Sequence, residues 1–176
     1  MKVEIWSDVV CPWCFVGKRQ FERALEQFEH AGELEIEWRA YELDPRAPEV
    51  REGTYTERIA RKYGTDVGQA RAMMSRIVSV GAEAGIEFKF DYMQPGNTFN
   101  AHRLLHLAKA HGVQDELKGR LLHATFFEGQ ATGTRDVLEK LAVEVGLDAE
   151  AVADLLDGDA FADAVRTDER VAQALG

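Results

Sequence analysis

Polar and apolar residues alternate at the start of the chain, in Lys2-Val3-Glu4-Ile5-Trp6. A period of two with β-branched and aromatic members predicts a half-buried strand. Ser7-Asp8-Val9-Val10 connects it to a segment in which Phe21, Leu25 and Phe28 recur at helical spacing among Arg, Glu and Gln. A second alternating run, Leu34-Glu35-Ile36-Glu37-Trp38, predicts a second strand. With the helix between them, the two strands form a right-handed βαβ unit. From about Tyr55 to Leu156 the period becomes helical. Ile59, Met73, Met74, Ile77, Val78 and Ala82 mark one apolar face, with Met73 and Met74 read as packing residues. Phe99, Leu104, Leu105 and Leu107 mark a second face, and Val137, Leu138, Leu141 and Val145 a third. Gly85, Pro95-Gly96, Gly112 and the stretch from Gly129 to Gly133 punctuate these faces. Ala160 to Leu175 reads as a last helix.

The chemistry concentrates where the first strand gives way to the first helix. Cys11-Pro12-Trp13-Cys14 holds both cysteines of the chain. Pro12 suits the first helical turn, where its missing N–H has no intrahelical partner to lose. Cys11 then falls at the N-cap, facing unpaired amides and the positive end of the helix dipole, which favours a thiolate. Cys14 follows one turn later, in reach of the first sulfur, as the deeper, protonated, resolving thiol. A zinc site needs a second ligand pair, which the five histidines do not supply at finger spacing. His102 and His106 stand at i, i+4 with no third ligand in view. A purely structural disulfide across so short a loop adds little stability.

The run Ser7-Asp8-Val9-Val10-Cys11-Pro12-Trp13-Cys14-Phe15-Val16-Gly17 resembles the active site of DsbA-family thioredoxin-fold oxidoreductases, in particular the FrnE-like branch. Trp38-Arg39-Ala40-Tyr41-Glu42-Leu43-Asp44-Pro45, Asn97-Thr98 with Ala101-His102, Phe126-Phe127-Glu128-Gly129 and Gly146-Leu147-Asp148 extend the resemblance over nearly the whole chain. The superfamily also holds 2-hydroxychromene-2-carboxylate isomerases and kappa-class glutathione transferases, which usually carry serine at the position of Cys11. The resemblance implies an α/β thioredoxin fold split by a large helical insertion. Residues 1–54 are its N-terminal βαβ part, 55–156 the insertion and 157–176 the return helix. It implies thiol–disulfide oxidoreductase activity, as reductase, isomerase or oxidase, with Cys11 as nucleophile and Cys14 as resolving thiol. DsbA itself has histidine before its second cysteine. Trp13 in that place carries no charge, so a less stabilised thiolate and a less oxidising pair are expected.

One departure stands out. The family places a cis-proline loop against the cysteines, after the insertion, followed by two antiparallel strands. The four prolines here are Pro12, Pro45, Pro48 and Pro95, and no strand pattern follows them. The sequence therefore predicts a fold lacking the C-terminal strand pair and cis-proline loop, as in a truncated chain. The first strand is then left with an open edge that invites self-association.

Other candidates surround the cysteines. Asp8 is placed to orient the loop or relay a proton to Cys14. Trp6 and Trp13 form an apolar collar for a substrate, or Trp6 is plain core. Asn97 or Thr98 caps a helix. Tyr41, Asn97 and His102 are substrate contacts that the resemblance implies. A net charge of −10 over 176 residues disfavours nucleic acid and anionic membranes as partners. No apolar run approaches a membrane span, and no signal pattern opens the chain, so a cytoplasmic location is expected. The substrates implied are disulfide-containing proteins or small thiols. No bound cofactor or metal is called for, with glutathione or another small thiol as redox partner. Two other functions stay open: a glutathione-dependent isomerase or transferase acting on a small aromatic substrate, and a non-catalytic binding module.

Overall fold

The computed structural model describes all residues from Met1 to Gly176. Strand β1 (Lys2–Ser7) leads through Asp8–Cys11 into helix α1 (Pro12–Glu26), and a 3₁₀ turn (Ala31–Glu33) precedes β2 (Glu35–Ala40). Six helices follow: α2 (Tyr55–Tyr63), α3 (Val67–Glu83), α4 (Phe99–Ala110), α5 (Gln114–His123), α6 (Arg135–Glu144) and α7 (Ala149–Asp157). A single π-helical turn (Ala124–Glu128) continues α5, and α8 (Ala162–Leu175) ends the chain. The result is an α/β fold with a small two-stranded sheet and eight helices.

β1 and β2 pair in parallel, Lys2 opposite Glu35 through Ser7 opposite Ala40. Parallel strands need a crossover, and α1 supplies it. The outer edge of β2 is sealed by side chains. The Gln114 amide accepts from Trp38 N–H at 3.0 Å and donates to the Trp38 carbonyl at 2.9 Å, standing in for a neighbouring strand. Further along, Asp168 of α8 accepts from Ala40 N–H at 2.9 Å. Because Trp38 faces Gln114, strand alternation turns the peptide groups of Glu4 and Trp6 outward along the free edge of β1. On one sheet face, Glu37 is buried among Lys2, Arg39 and Lys109, which ties β2 to α4.

Two apolar cores form. Val9 lies in one with Leu104, Leu117, Leu121, Leu138 and Leu141, among α4 to α7. Phe15 and Val16 lie in the other with Ile77, Ile86, Phe90 and Phe126. The Phe15 ring stacks on Phe126 at 5.7 Å, and Phe88 stacks on Phe90 at 5.0 Å. Val10 packs against both cores, so the segment carrying the cysteines is gripped from two sides.

Several boundaries differ from the sequence pattern. α1 ends at Glu26, leaving Phe28 outside the helix and exposed, and its buried face is Phe15 and Val16, whereas Phe21 and Leu25 are half-buried. β2 runs two residues past Trp38, to Ala40. On α3 the buried stripe is Ala70, Met74, Ile77 and Gly81; Met73, Val78 and Ala82 are exposed. One amphipathic helix can bury only a single stripe, and these three residues fall off it. All four prolines follow trans peptide bonds.

Gln114→Ala strips Trp38 of both edge partners in a buried setting. Denaturant titration is expected to show a loss of roughly 2–4 kcal/mol. The open β1 edge is expected to give concentration-dependent association in sedimentation runs, and a monomer at every accessible concentration would contradict this.

Candidate active site

The site begins with a helix cap. Cys11 has extended backbone (φ −96°, ψ 114°), Pro12 opens α1, and the Cys11 Sγ accepts from Cys14 N–H at 3.3 Å. One orphan amide of the helix thus ends on sulfur, as the spacing of the motif predicts. Both cysteines are free thiols and both are half-buried, so Cys14 is not the deeper of the two. They differ in what they face. Tyr55, on the wall of the adjoining cleft, is pushed up to about 12, first by its burial and then by the charge on Cys11. Cys14 meets the Asp8 amide and the Lys118 ammonium, both of which favour its charged form.

The two thiols titrate as a pair. Cys14 is lowered to about 7, first by a hydrogen bond from Cys11, against its burial. Cys11 is pushed far up, first by that same bond and then by burial, while the Cys14 N–H pulls it down. The dithiol therefore loses one proton near neutrality and holds the second. The dipole argument placed the negative charge on Cys11 with Cys14 protonated; here Cys11 is the donor of the shared hydrogen bond, so Cys14 is the sulfur favoured to ionise first.

Beneath the pair lie charges with no access to water. Lys118 of α5 is 0% exposed, donates to the Ser7 carbonyl at 3.2 Å, and sits 5.6 Å from the centre of the Trp38 ring. Burial lowers it to about 8. Asp8, 1% exposed, accepts from Val9 N–H at 2.7 Å and Leu43 N–H at 2.8 Å. His102 Nε2 stands 3.3 Å from Asp8 Oδ1, in contact but without hydrogen-bond alignment. Burial pushes Asp8 up, but His102, the Leu43 amide and Lys118 outweigh it and hold the carboxyl below its usual range. Lys118 has no sequence signal of its own; a lone lysine in the register of buried Leu117, Leu121 and Leu122 was the clue available.

The remaining candidates scatter. Trp13 is 50% exposed beside the cysteines. Trp6 is drawn away, its indole N–H donating to the Asp168 carbonyl at 2.9 Å, so the two tryptophans form no collar. His102 is 1% exposed and reaches the site only through Asp8. His106 turns to Asp168 Oδ2 at 3.0 Å, and no group of three metal-ligating side chains forms. Thr98 occupies the N-cap of α4 without a side-chain bond, and Asn97 Oδ1 accepts from Phe99 N–H at 2.9 Å instead. Asn97 N–H also donates to the Pro48 carbonyl at 2.8 Å, pinning the loop after β2. That contact needs glycine at position 96, where a Cβ would strike the Glu49 carbonyl. Tyr41 is exposed at the end of β2 and is not on the cleft wall.

The cleft, about 830 Å³, runs from Asp8 and Val10 between the loop after β2, the helix α2 and Pro95-Gly96. A smaller hollow of about 220 Å³, at Met74 and Phe88, does not touch the cysteine loop.

Residues 2–176 match the DSBA-like thioredoxin domain. The chain belongs to the DsbA-like thioredoxin-domain family. It is similar to the protein YwbO of Bacillus subtilis (strain 168), 31% identical over 166 residues that make up 93% of this chain and 76% of YwbO. The probable DsbA oxidoreductase SCO1869 of Streptomyces coelicolor superposes with a TM-score of 0.92 at 39% identity, covering 100% of this chain and 76% of that one. The cytosolic disulfide reductase DsbM of Pseudomonas aeruginosa shares the fold, with a TM-score of 0.68 at 18% identity over 100% of this chain and 80% of DsbM. So does a 2-hydroxychromene-2-carboxylate isomerase, with a TM-score of 0.69 at 14% identity over 98% of this chain and 79% of that one. As a DsbA-like chain it falls in a family of thiol oxidoreductases.

Lys118→Met keeps the volume and removes the buried charge. A lysine lowered from 10.5 to about 8 costs the fold about 3 kcal/mol below pH 8, a cost that fades as pH rises towards 10.5 because the unfolded chain then loses its proton too. The variant is expected to be more stable than the parent by up to that amount at pH 7, with a smaller advantage at pH 10. Its first thiol ionisation, read from thiolate absorbance, is expected to move up from about 7. Unchanged thiol titration would mean that Lys118 does not act on the pair.

Proposed function

We propose that this chain is a thiol–disulfide oxidoreductase in which Cys11 attacks and Cys14 resolves. The observation that carries the reading is a free dithiol on a helix N-cap whose first proton leaves at about pH 7. An attacking thiol works best with its pKa close to ambient pH, where thiolate is abundant and still nucleophilic.

Cys11 directly follows Val10, which lines the cleft, and this favours it as the sulfur that meets substrate. Cys11 passes its proton across the hydrogen bond to the Cys14 thiolate and attacks one sulfur of a substrate disulfide as thiolate. A Cys11–substrate S–S bond forms, the substrate S–S bond breaks, and the other substrate sulfur leaves as thiolate. Cys14 gives its proton to the departing substrate thiolate and then attacks Cys11 Sγ. The mixed disulfide breaks, the second substrate thiol departs, and Cys11–Cys14 is left oxidised. Two electrons pass from the dithiol to the substrate, and a reducing thiol restores the enzyme. Lys118 stabilises the negative charge on Cys14 during the second attack. Asp8, held by two backbone amides, fixes the loop that aims both sulfurs.

An uncharged Trp13 between the cysteines supports a pair less oxidising than DsbA, suited to reducing or isomerising disulfides in a reducing compartment such as the cytoplasm. No helix is long and apolar enough to cross a membrane. Disulfide-bearing proteins and small thiols, glutathione among them, are the proposed partners.

Equilibration in glutathione buffers, followed by thiol trapping and tryptophan fluorescence, tests this. A single two-electron midpoint is expected, nearer about −270 mV than about −120 mV, the values for thioredoxin and DsbA. It is expected to vanish in Cys11→Ser and in Cys14→Ser. No midpoint in a folded sample would overturn the reading and leave a binding module. Catalysis that survives Cys14→Ser would point to a glutathione-dependent isomerase or transferase.

A further inference from the structure

The chain carries a net charge of −10, so its mean field repels anions. The cleft beside Cys11 inverts that sign. Arg46, Arg51, Arg58, Arg61 and Lys62 line it. Arg51 pairs with Asp44, and the other four have no carboxylate partner within ion-pair distance. Of the other two carboxylates on the wall, Asp8 is closed off beneath the loop, and Glu52 remains open. Arg58 is half-buried and held by the carbonyls of Gly53 and Met93. Its guanidinium lies 5.8 Å from the centre of the Tyr55 ring. Asp8 and Val10 lie on the same wall, so the cationic cleft runs up to the loop that ends in Cys11.

We infer that this cleft selects low-molecular-weight disulfides and thiols that carry anionic groups, carboxylate or phosphate, at a distance from their sulfur. The inference rests on the oxidoreductase reading above and names its substrate class. Guanidinium forks match both oxyanions, because each offers two acceptors in one plane. A volume of about 830 Å³ suits a small molecule. Val10, Ile59 and Pro95 on the same wall offer apolar contact to the neutral part of the ligand.

A charge series decides the matter, since the net charge and the cleft predict opposite orders. Rates of thiol loss are measured with 3,3′-dithiodipropionate, its neutral diamide and cystamine, each divided by the rate of the same probe with dithiothreitol. The dicarboxylate is expected to outpace the dication by roughly tenfold or more at low salt, with the gap closing at high salt. Arg46→Glu/Arg61→Glu, two exposed positions, is expected to abolish or reverse that ratio, with circular dichroism checking the fold. Pantethine and its 4′-bisphosphate form a matched neutral and phosphorylated pair, and comparison with the carboxylate series tells which oxyanion the wall prefers. A cystamine rate equal to or above the dicarboxylate rate in the parent chain would overturn the inference. Thiols inert to all probes, the neutral diamide included, would sink the oxidoreductase reading. Calorimetry of dithiodipropionate against cystamine with Cys11→Ser/Cys14→Ser then still decides the cleft, with tighter dicarboxylate binding expected and equal or tighter cystamine binding overturning it.

Discussion

A lysine and an aspartate shut away from water beneath one helix N-terminus are the constraint on which the rest of this molecule turns. Neither Lys118 nor Asp8 is tolerable there without hydrogen-bond partners, because a bare buried charge costs far more than the fold can spare. Each is held by backbone: Lys118 by the Ser7 carbonyl, Asp8 by the amides of Val9 and Leu43. Those groups belong to β1, the cysteine loop and the segment after β2. The same charges that must be satisfied therefore lock together the three pieces that surround the thiols. The penalty on Lys118 remains visible in its lowered pKa, a cost to stability retained where it favours a thiolate.

The apolar packing has a matching logic. Val9 belongs to the core among α4 to α7, Phe15 and Val16 to the aromatic core with Phe126, and Val10 touches both. The three residues between Asp8 and Pro12 cannot shift without disturbing one core or the other. Close-packed interiors deform in steps rather than smoothly, so this grip fixes the direction in which Cys11 points. The helical region thus covers the sheet, supplies the buried ammonium from α5, and builds one side of the cleft with α2. Gln114 at the start of α5 also seals the outer edge of β2, so one helix closes an edge at its first residue and tunes a thiol one turn later.

Much of this was legible in the order of residues. Strand, cap and helix at Lys2–Glu26 follow from alternation, from Pro12 in the first turn and from cysteine at the N-cap, all short-range effects that act within a few residues. The cysteine pair could be placed for the same reason, and the helical character of the long middle region followed from its periodicity. Periodicity found Met74 and Ile77 on α3 but also marked Met73, Val78 and Ala82, because it finds a stripe without knowing which neighbour will cover it. It also could not say that Trp6 would be claimed by α8, or that His102 and His106, a helical pair on paper, would each turn to a different carboxylate.

What the sequence determined by itself, then, is the local chemistry: two thiols one turn apart at the start of a helix that follows a strand. Only the tertiary structure decided what that chemistry is tuned by and what it faces. Ser7 and Lys118 meet across 111 residues, and Trp38 and Gln114 across 76. No local preference encodes such meetings; they arise when separate apolar faces find a common core and carry their polar residues with them. The cationic wall is of the same kind. Its charges are spread through a loop and a helix of an acidic chain, and their sum acquires a sign only when folding gathers them around one cleft.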